Sequence, residues 1–262
     1  MSSTRRPLCF GTNLKMHQTP AETVAFVAGV RAAVGDALRR DDVHLFVIPP
    51  FTALSAAVEA ARGSGLWIGA QNVHPAEAGA FTGEISTRML QAVGVDLILI
   101  GHAERRGLFG ETDAFVNEKV RAALGQGFRV LACVGETAAE KGYGVGPESV
   151  ARQLKIALHG VEPAALARVM IGYEPVWSIG AGGTPARPED VAVTAGHLRA
   201  ALRTLYPDQG GAVPILYGGS VEPSNVGGFV ALAEIDGAFV GRAAWTVDGY
   251  AAVLRAALDG RR

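Results

Sequence analysis

Along the 262 residues, polar side chains recur just after short apolar runs. Asn13 and Lys15 follow LCFGT, Gln71 and Asn72 follow LWIGA, and His102 and Glu104 follow DLILIG. Glu136 follows RVLACVG, Glu174 follows RVMIGY, and Ser220 follows PILYGG. Apolar surroundings make a carboxylate hold its proton more readily, which suits a base that must take a proton and return it. Glu174, just before Pro175-Val176-Trp177, fits that description. An imidazole at a helix start is kept neutral by the positive helix end and can donate to a carbonyl oxygen. His102, opening Ala-Glu-Arg-Arg, fits that one. With a cation and glycine-rich loops beside them, these groups suit enolisation of a phosphorylated carbonyl compound.

Each residue also has a bland reading. A lone Glu is an ordinary loop carboxylate, and a lone His is a hydrogen-bonded structural residue. Glu104 and Arg105 read equally well as an ion pair beneath a site. Lys15 reads as a surface lysine, yet only four of the 24 cationic side chains are lysines. A compact ammonium is not equivalent to a planar guanidinium, so a lysine at a strand end stands out. The segments Gly180-Ala-Gly-Gly183, Gly218-Gly219 and Gly241 could bring backbone N–H groups to a phosphate. Turns use the same residues, but three such segments after the last three strands match where barrel phosphate sites are built.

What must position these residues is a repeating strand–helix unit. Apolar or β-branched runs predict strands over 8–13, 43–48, 66–70, 96–100, 128–134, 168–173, 213–217 and 237–240. Helical periodicity fills the stretches between, as at 21–38, 114–126, 148–159, 188–204 and 224–232. Strands apolar on both faces imply a parallel sheet covered on both sides. Eight such units predict an α/β fold, a closed (β/α)8 barrel rather than an open doubly wound sheet. No linker interrupts the pattern, so one domain over 1–262 is expected. In a closed barrel all eight strand ends ring one mouth, so distant residues converge there.

Composition narrows the function classes. With 49% hydrophobic residues the core needs no disulfide or metal staple. A formal net charge of −1 argues against a nucleic-acid surface or a basic membrane anchor. The two cysteines, Cys9 and Cys133, lack metal-ligand spacing and read as buried thiols of a reducing compartment. Six scattered histidines make no metal site, and no strand carries a Schiff-base lysine. The chemistry is therefore expected to need neither cofactor nor metal. The N-terminus lacks a signal-peptide pattern and no apolar run is long enough to span a bilayer, so a cytoplasmic protein is expected.

Seven segments in order resemble the triosephosphate isomerase family: GTNLKMH (11–17), GAQNVHPAEAGAFTGEIS (69–86), IGHAERRGLFGET (100–112), CVGET (133–137), GYEPVWSIGAGG (172–183), YGGSVEPSN (217–225) and IDGAFVGRAAW (235–245). The resemblance implies a barrel isomerase acting on a small phosphorylated sugar. It implies Glu174 as the base, His102 as the electrophile, Lys15 as the cation, Asn13 as an orienting group and Glu104 as support for Lys15 and His102. Gly180, Ser220, Gly241 and Arg242 would face the phosphate, and 175–188 would form a lid. Thr82 would reach a neighbouring subunit's site, implying a homodimer.

Several positions depart from the common family pattern: Leu14, Ala103, Pro185, Phe239 and Arg242. Ala103 removes a hydroxyl on which the resting base could sit. Pro185 has no N–H, so a lid bond from Tyr217 would have to use Ala186 or be lost. FVIPPFTA (46–53), GTPA (183–186) and FVGRAAWTVDGY (239–250) are similar to relatives that isomerise L-erythrulose 1-phosphate. That substrate adds one hydroxymethyl group, so residues 103, 185 and 239 are expected to cluster near Glu174. Ordinary triosephosphate isomerase is the second reading. A silent sugar-phosphate-binding barrel is the third, although it would be expected to have lost Glu174, His102 or Lys15.

Overall fold

A computed structural model describes residues 6–180 and 182–261. Eight strands, β1 (Leu8–Asn13), β2 (Val43–Ile48), β3 (Trp67–Ala70), β4 (Leu97–Ile100), β5 (Arg129–Val134), β6 (Val169–Tyr173), β7 (Ile215–Tyr217) and β8 (Gly237–Val240), pair in parallel and in chain order. β8 closes on β1, so that Gly11 lies between Phe46 and Phe239. This is the (β/α)8 barrel that the spacing of apolar runs predicts.

The two-residue period of the strands splits their side chains into two cores. Cys9, Phe46, Leu99, Cys133, Met170 and Phe239 belong to an inner cluster that fills the barrel. Phe10, Val47, Ile98, Val130, Ile171 and Val240 join the outer cluster beneath the helices. Continuing the inner register carries the chain from Cys9 through Gly11 to Asn13, and from Met170 through Gly172 to Glu174. Strand parity therefore aims Asn13 and Glu174 into the C-terminal mouth. Gly11 leaves room for the Phe46 ring, because a Cβ there would stand 2.2 Å from a ring carbon.

Helices fill the connections: α1 (Pro20–Ala33), α2 (Gly35–Leu38), α3 (Leu54–Ala61), α4 (Thr87–Val93), α5 (Ala103–Phe109), α6 (Asp113–Gly125), α7 (Ala138–Gly142), α8 (Gly146–Ala157), α9 (Pro188–Leu205), α10 (Val226–Val230) and α11 (Val247–Gly260). Their starts are written locally. Thr19 and Thr137 close capping boxes with Glu22 and Glu140, and Pro20 and Pro188 occupy first-turn positions. The stretch 21–38 was expected as one helix and is two. Val34 leaves helical dihedrals (φ −124°, ψ 20°), and the following glycine is a weak helix former.

Below the barrel, Arg199 of α9 is 1% exposed and donates to Asp236 Oδ2 (2.8 Å), Glu234 Oε2 (2.8 Å) and the Val213 carbonyl (2.5 Å). Asp236 also accepts from Arg6 Nε (2.6 Å) and the Ile215 N–H (3.0 Å), tying α9 to the starts of β7 and β8. Removing one partner of a buried ion network leaves charge uncompensated at a cost of about 3–5 kcal/mol. Arg199→Met is expected to lose about that much stability in urea denaturation. An unchanged midpoint would show that the remaining partners, Arg6, Arg261 and the Ile215 N–H, satisfy Asp236.

Candidate active site

Glu174, the first residue beyond β6, is 2% exposed. Its Oε1 lies 3.2 Å from His102 Nε2, and its Oε2 accepts the Ala103 backbone N–H at 3.0 Å. His102 caps α5, and its Nδ1 accepts the Glu104 N–H at 3.1 Å. A ring nitrogen that accepts carries no proton, which assigns the proton of the neutral ring to Nε2, facing Glu174. The missing hydroxyl at position 103 thus leaves the carboxylate held, because the backbone amide takes over. Cys133, on the inner face of β5, is fully buried. Burial first, and then the Glu174 carboxylate, push its thiol well above the usual range.

Lys15 adopts a positive φ of 51°, unusual for a side-chain-bearing residue. Its N–H donates to Asn13 Oδ1 (2.9 Å), its carbonyl accepts from Gln71 Nε2 (2.7 Å), and its Nζ meets Glu104 Oε1 at 2.5 Å. Glu104 is therefore the partner of Lys15, while its Oε2 stands 3.6 Å from His102 Nδ1. Arg105 turns to Glu111 instead, at 2.5 Å. Asn72, the other polar residue after β3, accepts from buried Lys119 at 2.9 Å and does not line the mouth.

A cavity of about 460 Å³ joins Asn13, Lys15, His102 and Glu174 to Gly180, Ser220, Gly241 and Arg242. All eight of these expected positions line it. The Phe239 ring stands edge-on to His102, with centroids 6.2 Å apart. Arg242 is exposed, and among the described residues its guanidinium has no hydrogen-bond or ion-pair partner. At the Gly218-Gly219 pair, close packing also calls for glycine. A Cβ at Gly218 would lie 2.9 Å from Glu174 Cγ, and one at Gly219 would lie 2.2 Å from Tyr217 Oη. The Gly218 N–H is already bonded to the Tyr173 carbonyl at 2.8 Å. Close packing against Glu174 dictates Gly218 and close packing against Tyr217 dictates Gly219, and the Gly218 amide is not free for an anion.

The segment expected as a lid runs from 175 to 188, with Ala181 outside the described residues. Its first turn, Val176–Ser178, is fixed by Glu136, which is 3% exposed. Glu136 Oε1 accepts from Trp177 Nε1 (2.7 Å) and Tyr173 Oη (3.1 Å). Nothing in the sequence joins Glu136 to a tryptophan 41 positions later, so only its place after β5 marked it.

At the other arm, where a bond from Tyr217 would have to use Ala186 or be lost, Ser178 stands between the two residues. Buried Ser178 Oγ accepts the Ala186 N–H at 3.3 Å and meets Tyr217 Oη at 3.3 Å. Burial pushes the Tyr217 phenol up to about 12, so it stays an O–H group near neutral pH. The expected clustering of 103, 185 and 239 also needs correction. Ala186 turns inward to bond Ser178, which leaves Pro185 exposed and outside the cavity.

A neutral imidazole donor, a buried carboxylate and an ammonium in one pocket are the parts of a proton-transfer site. The sequence model described as "Triosephosphate isomerase" matches residues 8–257. The chain belongs to the triosephosphate isomerase family. Like that family it is an isomerase. A Chloroflexus aurantiacus protein named triosephosphate isomerase is 43% identical over 95% of this chain and 98% of its own length. One from Acetivibrio thermocellus is 42% identical over 93% of this chain and 95% of its own. A Rhizobium etli protein named L-erythrulose-1-phosphate isomerase is 41% identical, covering 93% of this chain and 90% of its own length. Overall identity therefore does not separate two activities within the triosephosphate isomerase family.

Thr82 lies on an exposed stretch, 77–84, and does not line its own chain's cavity. Among the described residues no His, Cys, Asp and Glu side chains gather as a metal site, and no helix is long and apolar enough to cross a membrane.

Proposed function

We propose that this chain moves a carbonyl along a short phosphorylated sugar by enediolate proton transfer, turning L-erythrulose 1-phosphate into D-erythrulose 4-phosphate. The observation that carries the chemistry is the pair Glu174 and His102, 3.2 Å apart in a cavity that also holds Lys15. Glu174 removes the proton from carbon three, and that electron pair forms a double bond to carbon two. The carbonyl oxygen gains the charge, which His102 Nε2–H and the Lys15 ammonium stabilise. His102 Nε2–H then gives its proton to the oxygen on carbon two and takes the hydroxyl proton from the oxygen on carbon three, which becomes the carbonyl as Glu174 returns its proton to carbon two. Asn13 orients the substrate, Glu104 holds Lys15, and Gly180, Ser220, Gly241 and Arg242 face the phosphate. The lid anchored by Glu136 and Ser178 closes to keep water from the enediolate. No step calls for a cofactor. The exposed Thr82 loop, with Phe81 46% and Met16 94% exposed, supports a homodimer.

The four-carbon choice rests on Ala103, whose backbone N–H holds Glu174, and on the resemblance of FVGRAAWTVDGY (239–250) to relatives that isomerise L-erythrulose 1-phosphate. The Chloroflexus aurantiacus and Acetivibrio thermocellus relatives favour a second reading, conversion of dihydroxyacetone phosphate to glyceraldehyde 3-phosphate by the same groups. Turnover of the two ketose phosphates side by side decides. Because one added small group changes binding only modestly, kcat/KM is expected to favour L-erythrulose 1-phosphate by about 10- to 200-fold. The opposite preference would establish the second reading. Activity on neither would leave a sugar-phosphate-binding barrel.

A further inference from the structure

Trp245 is held in a way that the proton-transfer chemistry leaves unexplained. It closes the short turn Arg242–Ala244 after β8 and lines the same cavity as Lys15. Its indole Nε1–H donates to the Asn13 carbonyl at 2.8 Å, and its ring packs on His17 with centroids 4.3 Å apart. Gln18 Nε2 donates in turn to the Trp245 carbonyl at 3.4 Å. These contacts clasp the loop after β1 to the turn after β8.

The clasped loop is the strained one. Among the described residues, the non-glycine residues with positive φ are Lys15 (51°) and Gln18 (67°), both within it. Such a conformation persists only where its surroundings over-determine it. Gln18 meets Trp245 directly. Lys15 is reached through Asn13, whose carbonyl binds the indole while its side-chain oxygen binds the Lys15 N–H. Lys15 is fixed from two other sides by Gln71 and Glu104. On the third side Asn13 holds the Lys15 N–H, and Trp245 holds Asn13 to the turn that carries Gly241 and Arg242.

We infer that Trp245 is a positioning residue, which sets the Lys15 ammonium and locks it to the anion-facing turn. This rests on Lys15 being the cation of the reaction. An ammonium displaced by about an ångström from a developing charge loses much of its effect, because preorganisation rather than charge alone lowers the barrier. The indole N–H is the specific element, since another aromatic ring could still pack on His17.

The test is a double-mutant cycle on the full chain, with kcat, KM and melting temperature measured for each protein. Trp245→Phe keeps a ring against His17 and removes the donor, so kcat/KM is expected to fall about ten-fold with little change in melting. Trp245→Leu removes the ring as well and is expected to fall further. In the Lys15→Met background, Trp245→Phe is expected to cost nothing more, because residues acting as one unit are not additive. Wild-type kinetics for Trp245→Phe would overturn the inference. So would a ten-fold loss that persists in full without Lys15, since it would show that the indole acts elsewhere. Full activity of Lys15→Met alone would instead remove Lys15 from the reaction, and this inference with it.

Discussion

Glu174→Asp is expected to lower kcat by about 100- to 1,000-fold while leaving KM within a few-fold and the melting temperature nearly unchanged. The shorter side chain withdraws the carboxylate by one methylene from the carbon it serves. It also draws back from the Ala103 amide and His102 Nε2, the two contacts that now aim it. Proton transfer depends steeply on that distance, and a misplacement of about 1 Å can cost about two orders of magnitude. In the proposed reaction the phosphate is held by the loops around Gly180, Ser220 and Gly241 rather than by Glu174, so KM is expected to move little. Glu174→Gln is the companion: it keeps the volume beside Cys133 and Gly218 and removes the base, so the loss is expected to reach about 10,000-fold. Steady-state kinetics with a thermal melt checks both. Near-normal turnover of the aspartate variant would remove Glu174 from the base role.

Lys15→Met is expected to cost about 1,000-fold in kcat/KM, with part of the loss in KM. Methionine retains most of the stem and loses the ammonium. The Glu104 carboxylate, now paired with Lys15 at 2.5 Å, would then present a bare negative charge to a dianionic substrate. The defect is therefore larger than the loss of one attraction. Stability should barely change, because Lys15 and Glu104 are 22% and 44% exposed and such pairs contribute about 0–1 kcal/mol. Lys15→Arg is not expected to rescue, since the longer planar guanidinium cannot place a point charge where the ammonium sits. The measurement is kcat/KM together with the inhibition constant for inorganic phosphate. Unchanged values would reduce Lys15–Glu104 to a surface ion pair.

Much of this arrangement was legible in the linear chain because the causes are local. Strand parity fixes the inward direction of Asn13 and Glu174, and a helix start places His102 where its Nδ1 caps the next turn. Each eight-fold strand end was visible from an apolar run ending in glycine, proline or a polar residue. The family's residues at 13, 15, 102 and 174 were recognisable for the same reason, since each is fixed by its own strand and the turn after it. What the linear chain could not supply were contacts between loops whose separation in sequence is large and whose approach depends on barrel closure. Glu136 holding Trp177, Ser178 standing between Tyr217 and Ala186, and the clasp of Trp245 on Asn13 are of that kind. The strict need for Gly218 belongs with them, because it comes from the side chain of Glu174 on the neighbouring strand end.

By itself, then, the sequence determined the eight strand–helix units and the mouth at which they end, which follow from periods of two and of about 3.6 residues. Through the family resemblance it also marked Glu174, His102 and Lys15 as the candidates for base, electrophile and cation. Only the tertiary structure decided which atoms face one another: the amide that holds Glu174, the carboxylate that holds Trp177, and the serine between Tyr217 and Ala186. Such pairings are set when β8 closes on β1 and eight separate loops are brought within hydrogen-bonding range, and no local pattern encodes a distance between loops that only closure creates.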